Sequence, residues 1–159
     1  MPESAGVADR CELTAVSMRR GGAKAEMTLE DLVELAADAR KNAYAPYSRY
    51  RVGAALLTRS GRVYTGCNIE NATFGATVCA ERVAMWKALS EGEREFDMMA
   101  VVTSNGAMPC GLCRQVLAEF APEMPLVIAS LDGSQQQVTV ADLLPYHFRP
   151  EDVVPELGE

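Results

Sequence analysis

Two short cysteine motifs contain the residue types that bind a metal ion. Glu81 follows Cys79 by two residues, and Cys110 and Cys113 form a Pro-Cys-x-x-Cys motif with Pro109. Each motif lies at the predicted start of a helix, where the amide groups of the first turn favour thiolates. Residues three apart share a helix face, so Cys110 and Cys113 can bind one ion together. Because thiolates are the form that binds zinc, the pattern predicts a zinc site made by Cys79, Cys110 and Cys113.

The predicted zinc site has the composition of a catalytic site. Three protein ligands leave one position of a tetrahedral zinc open to water, and the metal makes that water acidic. Glu81 is near enough to move protons without being a ligand. Arg82 and Arg114 each follow a predicted ligand, and we expect them to donate hydrogen bonds to the sulfurs. A three-cysteine zinc with a non-ligand glutamate is the arrangement of zinc-dependent base deaminases.

Other interpretations of the cysteines are possible. A Cys-x-x-Cys motif alone is also typical of a redox pair or of half a structural zinc site. A redox pair would not need Cys79 and Glu81, and a structural zinc needs a fourth ligand, for which Cys67 is the only candidate nearby. We expect Cys67 to pack beside a strand as a small apolar residue. A zinc-containing interaction module is a further alternative, which Glu81 disfavours because such a module does not need a carboxylate beside an open metal position.

The hydrophobic pattern predicts the elements that must position these residues. They are a helix from Thr28 to about residue 42, strands over 52–58 and 62–66 joined by a tight turn, a helix over 78–90, a strand over 98–103, a helix over 110–120, strands over 126–130 and 136–140, a short helix over 141–144 and an irregular tail. Helices that alternate with buried strands predict an α/β fold with a layered sheet, which is mixed because it opens with a hairpin.

Length, composition and charge exclude several classes of protein. The 159 residues, 48% of them hydrophobic, fit one domain. We expect a flexible N-terminal extension over 1–27, a catalytic domain over 28–150 and a C-terminal tail over 151–159. No apolar run approaches the ~18 residues of a membrane span, and no signal-peptide pattern is present, so we expect a cytoplasmic protein. A net charge of −7 without a basic cluster disfavours nucleic acid as a partner. Five cysteines, an odd number, do not suggest a disulfide framework.

From about Tyr44 to Leu144 the chain resembles the homotetrameric cytidine deaminases. The matching segments, in the same order, are residues 44–48 (YAPYS), 52–57 (VGAALL), 66–72 (GCNIENA), 79–82 (CAER) and 109–117 (PCGLCRQVL). The resemblance implies a three-layer α/β/α fold with a mixed central sheet of about five strands, and one Zn²⁺ per subunit. It implies hydrolysis of cytidine and 2′-deoxycytidine to the uracil nucleosides and ammonia in pyrimidine salvage. In that reaction a zinc-bound hydroxide attacks C4, and Glu81 is the proton shuttle.

The resemblance also implies the substrate contacts. Asn68 and Glu70 resemble the pair that holds the ribose 3′-hydroxyl, and their amide and carboxylate groups offer suitable donors and acceptors. The backbone amide of Ala80 resembles the donor to the pyrimidine carbonyl oxygen. Tyr50 stands where the family usually has a phenylalanine that packs against the pyrimidine ring, and a tyrosine ring can stack in the same way.

The family's assembly implies active sites completed by neighbouring subunits of a homotetramer. Tyr47 lies in a segment that approaches the sugar across the subunit interface. Phe148 is similar to a tail aromatic residue that reaches a neighbour's active site. The chain departs from the family in the stretch before Pro109, which is a few residues shorter than usual, and in Arg51, which replaces a common proline. The first departure affects the shape of the predicted pocket near the exocyclic amine of the base.

The substrate class follows from what the sequence contains around the sugar pair. A nucleotide deaminase needs a phosphate clamp, and no such clamp is present near Asn68 or the Phe74-Gly75 loop. Blasticidin-type deaminases resemble this family but lack the Asn-x-Glu pair. The sequence therefore predicts a free nucleoside substrate, with a modified cytosine nucleoside such as blasticidin S as the alternative.

Overall fold

The first helix begins where the sequence predicts it. The structure, a computed structural model, describes residues 27–153. Helix α1 spans Leu29–Arg40 with Thr28 as its N-cap. The amide of Asp31 donates to Thr28 Oγ1 at 3.1 Å, and the amide of Thr28 donates to Asp31 Oδ2 at 2.9 Å, which pairs two amides that the helix itself leaves free. Apart from Met27, the predicted N-terminal extension lies outside the described residues, as do residues 154–159 of the tail.

A mixed five-stranded sheet forms the centre of the fold. Its strands are β1 (Gly53–Thr58), β2 (Val63–Cys67), β3 (Phe96–Thr103), β4 (Pro125–Ser130) and β5 (Gln135–Thr139). They lie in the order β2-β1-β3-β4-β5. Only the β3–β4 pair is parallel, and the other three pairs are antiparallel. The mixed α/β sheet of about five strands is therefore confirmed.

Helices cover both faces of this sheet. The remaining helices are α2 (Ala80–Ser90), α3 (Gly111–Phe120), α4 (Val140–Leu143) and α5 (Pro150–Val153). Ala54 and Leu56 of β1 pack in one core cluster with residues of α2, α3 and α4. Their neighbours Ala55 and Leu57 pack in a second cluster with α1. This alternation gives three layers, as expected for a central strand buried on both faces. No helix within residues 27–153 is long and apolar enough to cross a membrane.

Most predicted boundaries differ from the structure by one or two residues, and two differences have a clear physical reason. The helix predicted from residue 78 begins at Ala80, because Val78 still forms a β-bridge with Ile69 through two backbone hydrogen bonds of 2.9 and 3.0 Å. The tail predicted to be irregular contains α5. Its missed signal is Pro150 at the first helical position, together with Asp152, whose carboxylate accepts a hydrogen bond from the amide of Arg149 at 2.9 Å.

One edge of the sheet gathers the ends of four strands. Cys67, at the end of β2, pairs with Gly53 at the start of β1, and Gly53 pairs with Val102 near the end of β3. Thr103 pairs with Ser130, the last residue of β4. The loops that leave this edge lead into α2 and α3, so the two cysteine motifs begin at the same end of the molecule.

Candidate active site

Three cysteine sulfurs meet at the N-termini of α2 and α3. The Sγ atoms of Cys79, Cys110 and Cys113 all lie within 4.8 Å of one another. Cys79 Sγ is 3.8 Å from Cys110 Sγ, which is 3.6 Å from Cys113 Sγ. The structure thus brings together the three residues predicted as metal ligands, whereas Cys67 does not join the cluster.

Helix capping explains why these side chains face one another. Cys79 is the N-cap of α2 and Cys110 is the N-cap of α3, and both have extended backbone angles. Neither side chain forms a hydrogen bond that caps its own helix. Cys113 lies in the first turn of α3 and is buried. Both helices therefore direct their free first-turn amides and their positive dipole ends toward the sulfurs.

The spacing of the sulfurs fits a tetrahedral zinc ion. A Zn–S distance of about 2.3 Å at tetrahedral angles places two sulfurs about 3.8 Å apart, close to the separations of 3.8 and 3.6 Å found here. Soft thiolate ligands of this number and spacing are suited to zinc.

Contacts among the sulfurs shift the pKa values of Cys79 and Cys113. The pKa of Cys79 is lowered to about 5, chiefly by a hydrogen bond from Cys113, and hydrogen bonds from Arg82 and Cys110 act in the same direction. The pKa of Cys113 is raised by the same contact with Cys79 and by burial. Three thiolates at this spacing repel one another, and a divalent cation between them removes that cost. The charge distribution therefore agrees with the geometry in favouring a metal ion.

Glu81 places a buried carboxyl group beside the sulfurs. Its residue is 4% exposed, and burial is the main reason that its pKa is raised to about 7. Oε2 of Glu81 has no hydrogen-bond partner within residues 27–153. Buried polar atoms normally have a hydrogen-bond partner. A buried carboxyl oxygen without one, next to a possible metal site, indicates that a ligand or a water molecule binds to it there.

Arg82 contacts the cysteine cluster as the sequence predicts. Its Nη2 donates to Cys79 Sγ at 3.6 Å and to the carbonyl oxygen of Thr77 at 3.4 Å. The guanidinium carbon lies 5.6 Å from the centre of the Trp86 ring, which positions the cation over the aromatic face. Arg82 therefore supplies positive charge to the sulfurs from a fixed position.

Arg114 does not make the contact predicted for it. Its Nε donates to the carbonyl oxygen of Pro109 at 2.7 Å, and its Nη1 donates to that of Leu143 at 2.9 Å. These two bonds turn the guanidinium toward the backbone of the loop before Cys110 and the end of α4. Arg114 thus stabilises the segment that carries Cys110 and does not donate to a sulfur.

Asn68 and Glu70, the two residues predicted to bind the sugar, form hydrogen bonds with the segment that precedes β1. Asn68 is 8% exposed; its Oδ1 accepts from the amide of Val52 at 2.8 Å, and its Nδ2 donates to the carbonyl oxygen of Tyr50 at 2.7 Å. The Glu70 carboxylate accepts from the amide of Tyr47 at 2.8 Å and from the amide and hydroxyl of Ser48. The hydroxyl of Ser48 is the largest of the causes that lower the pKa of Glu70.

The other predicted contact residues lie around the same edge. Ala80 is the first residue of α2, so its amide has no acceptor within the helix. The Tyr50 hydroxyl donates to Asn105 Oδ1 at 2.6 Å. Tyr47 and Phe148 are exposed, at 51% and 60%. Tyr47 packs edge-on against Phe74, with ring centres 5.5 Å apart, and the carbonyl oxygen of Phe148 accepts from Gln115 on α3 at 2.8 Å.

Sequence reasoning missed several residues that hold the site. Ser48 fixes Glu70, Trp86 stacks on Arg82, and Asn105 binds Tyr50. Ser48 had a signal, because it belongs to the segment 44–48 that resembles the deaminases. Trp86 lies one helical turn after Arg82, a spacing that permits the contact. Asn105 had no signal, because its partner Tyr50 is 55 residues away in the chain.

Comparisons with known proteins identify the family. A family model described as the cytidine and deoxycytidylate deaminase zinc-binding region matches residues 26–129. The cytidine deaminase of Sporosarcina psychrophila is 48% identical over 130 residues, which cover 80% of this chain and 96% of that protein. The crystal structure of cytidine deaminase from Burkholderia pseudomallei has a TM-score of 0.75 and 46% identity, and the match covers 77% of this chain and all of that one. The chain therefore belongs to the family of zinc-binding cytidine and deoxycytidylate deaminases.

A more distant relative is a blasticidin-S deaminase. The blasticidin-S deaminase of Bacillus cereus is 29% identical over 128 residues, which cover 74% of this chain and 90% of that protein. This identity is well below the 48% shared with the Sporosarcina cytidine deaminase. The family resemblance stated from the sequence is confirmed, and the balance of similarity favours cytidine deaminases over blasticidin-S deaminases.

Proposed function

We propose that this protein catalyses the zinc-dependent hydrolysis of cytidine and 2′-deoxycytidine to uridine and 2′-deoxyuridine, with release of ammonia. The observation that carries the proposal is the cluster of three sulfurs beside the buried, unpartnered carboxyl oxygen of Glu81. Cys79, Cys110 and Cys113 would hold one zinc ion per subunit. When bound, zinc supplies the Lewis acidity that makes water a nucleophile at neutral pH.

Glu81 carries the protons in this reaction. Its position two residues after Cys79 places the carboxyl beside the metal without making it a ligand, and its burial keeps bulk water away from the transfer. Glu81 takes one proton from the water and delivers it to the ring nitrogen of the base; it then takes the second proton of that water from the new hydroxyl group at C4 and delivers it to the departing amine. One water molecule is consumed and one ammonia molecule leaves for each nucleoside converted.

Residues at the sheet edge orient the nucleoside. Asn68 and Glu70 still have bonding capacity for the ribose 3′-hydroxyl, because Nδ2 carries two hydrogens and donates one to Tyr50, and a carboxylate offers about four acceptor sites. The free amide of Ala80 would donate to the pyrimidine carbonyl oxygen, and the Tyr50 ring would pack against the base. A contact to the 3′-hydroxyl accepts both ribose and deoxyribose, which explains the proposed use of both nucleosides.

Neighbouring subunits would complete the site in a homotetramer. Several large apolar side chains near the sheet edge are at least 44% exposed in the single chain: Tyr44, Tyr47, Ile69, Phe74, Leu112 and Phe148. Burial of such residues is a main source of association energy. We infer that Tyr47 and Phe148 contact the substrate bound by a neighbour. Light scattering after gel filtration tests this assembly, and a fully active monomer would contradict it.

The proposed setting is pyrimidine salvage in the cytoplasm. The four cysteines within residues 27–153 are free thiols, which suits a reducing compartment. We take residues 28–150 as the catalytic domain. Its C-terminal limit is supported by the hydrogen bond from the Gln115 side chain on α3 to the carbonyl oxygen of Phe148.

The ultraviolet spectrum tests the reaction directly. Zinc-loaded protein is mixed with cytidine, deoxycytidine or blasticidin S, and the loss of cytosine absorbance is followed beside a Glu81→Gln variant with matched zinc content. We expect conversion of both nucleosides by the wild type and loss of almost all activity in the variant. Turnover of blasticidin S alone would favour the antibiotic-deaminase alternative. Zinc binding without turnover of any cytosine compound would favour an interaction module.

A further inference from the structure

Tyr50 and Asn105 join two loops that the sequence did not connect. The Tyr50 hydroxyl donates to Asn105 Oδ1 at 2.6 Å, a short distance for a neutral hydrogen bond. Tyr50 lies three residues before β1, and Asn105 lies two residues after β3. A phenylalanine at position 50 could not make this bond, because it has no hydroxyl group.

The Asn105 loop leads directly to the metal-binding cluster. Residues 104–108 connect the end of β3 to Pro109, and Cys110 follows at once. We call these five residues the approach loop. The base carbon that is attacked must lie next to the metal, and the amine leaves from that same carbon. With a metal held by Cys110, the loop that leads into Cys110 would border the space that the amine occupies.

Other hydrogen bonds hold the approach loop from the opposite side. Thr103 Oγ1 accepts from the amide of Ala107 at 3.1 Å, and the Ser130 hydroxyl donates to the carbonyl oxygen of Ser104 at 3.1 Å. These bonds come from the ends of β3 and β4. The Tyr50 bond comes from the segment before β1, which lies on the other side of β3 from β4, so the loop is held from both strands that neighbour β3.

We propose that Tyr50 and Asn105 are positioning residues that fix the approach loop through their hydrogen bond and thereby limit the size of the amine that the site accepts. The inference rests on the proposed deamination and adds a determinant of specificity to it. Loss of the bond frees the loop to move away from the amine, so a substituted amine is tolerated better while the chemistry with cytidine continues.

The test compares cytidine with N4-methylcytidine in a double-mutant cycle. Hydrolysis of the second compound consumes one water and releases uridine and methylamine. Tyr50→Phe removes the hydroxyl and keeps the ring, Asn105→Ala removes the acceptor, and the double variant removes both. We expect the ratio of kcat/KM for cytidine to that for N4-methylcytidine to fall about threefold to tenfold in each single variant. Asn105→Ala also removes a longer contact of 3.4 Å from the Thr103 hydroxyl. The double variant should therefore show no larger fall than Asn105→Ala alone, because that variant already lacks the bond to Tyr50.

A matched control separates positioning from loss of stability. Tyr64 is a buried tyrosine of β2 whose hydroxyl donates to Glu91 Oε2 at 2.9 Å, so Tyr64→Phe removes a comparable bond that involves neither Tyr50 nor Asn105. Destabilisation lowers activity toward both compounds and leaves their ratio unchanged. A ratio that stays constant in Tyr50→Phe and Asn105→Ala, or that falls equally in Tyr64→Phe, would overturn the inference.

The remaining outcomes of the kinetic test distinguish failure of this inference from failure of the proposed function. If the wild type releases no measurable methylamine, its release by all three variants of the cycle supports the inference, and its absence from them contradicts it. No turnover of cytidine by the wild type would overturn the proposed function and this inference with it. Turnover of cytidine with unchanged ratios would overturn the inference alone.

Discussion

Gly66 of β2 lies directly against the first turns of α2. A Cβ atom at this position would stand 2.4 Å from the carbonyl oxygen of Ala80 and 2.7 Å from the amide nitrogen of Ala84. Both are backbone atoms, so they cannot turn aside as the end of a side chain would. An ordinary contact begins near 3.4 Å. The substitution Gly66→Ala must therefore move α2 away from the sheet by about 1 Å.

This displacement predicts losses of both stability and metal affinity. Overpacking of a rigid contact costs about 1–3 kcal/mol, which lowers the melting temperature by roughly 3–10 °C for a domain of this size. Cys79 immediately precedes α2 and moves with it. Its sulfur lies 3.8 Å from that of Cys110, near the separation that zinc requires, so a shift of about 1 Å strains the metal site.

Thermal unfolding and zinc content measure the two effects. Gly66→Ala is compared with wild type by circular dichroism with and without a chelator, and bound zinc is measured after dialysis against a competing chelator. Gly75→Ala is the control, because a Cβ at Gly75 would meet no atom within 4 Å. If Gly66→Ala has the same melting temperature as Gly75→Ala and retains as much zinc, the argument from the close approach of the backbone is wrong.

Three other substitutions test separate parts of the structure. Arg82→Gln should lower zinc affinity by about tenfold or more, whereas Arg114→Gln should chiefly lower the melting temperature, because only Arg82 donates to a sulfur; chelator titration with equal losses would contradict this. Glu70→Gln should raise the KM for cytidine about tenfold or more by releasing the Tyr47–Ser48 amides, and an unchanged KM in steady-state kinetics refutes it. Asp31→Asn should lower the melting temperature at neutral pH. The Thr28 amide lowers the pKa of Asp31 below 3.8, so this contribution is present above the unfolded pKa and disappears as pH falls through the folded pKa; melting curves with a constant difference at all pH values would disprove it.

The sequence predicted the parts of the fold that local patterns determine. Thr28 and Asp31 form the capping box of α1, and the apolar runs over 98–103 and 126–130 form the central strands. The cysteine cluster was also predictable, because helix starts place Cys79 and Cys110 at caps and Cys113 one turn later. In each case the signal lies within a few residues of the feature.

Two of the contacts that the sequence did not reveal, Arg114 with Leu143 and Tyr50 with Asn105, join residues far apart in the chain. Arg114 directly follows Cys113, and Arg82 follows Cys79 by three residues. The acceptors of Arg114 are nevertheless the carbonyl oxygens of Pro109 and Leu143 and not a sulfur. That outcome depends on where the end of α4 lies, which no pattern around residue 114 encodes. The bond from Tyr50 to Asn105 spans 55 residues and was missed for the same reason.

Hydrogen bonds among the loops explain how the edge of the sheet holds its shape before a nucleoside binds. Asn68 joins the amide of Val52 to the carbonyl oxygen of Tyr50, so its side chain fixes the chain just before β1. Glu70 fixes the preceding residues through Ser48. The two residues proposed to bind the sugar thus also hold the segment that carries the ring proposed to bind the base. A site arranged in this way loses little conformational freedom on binding, and sugar recognition and base recognition depend on the same few hydrogen bonds.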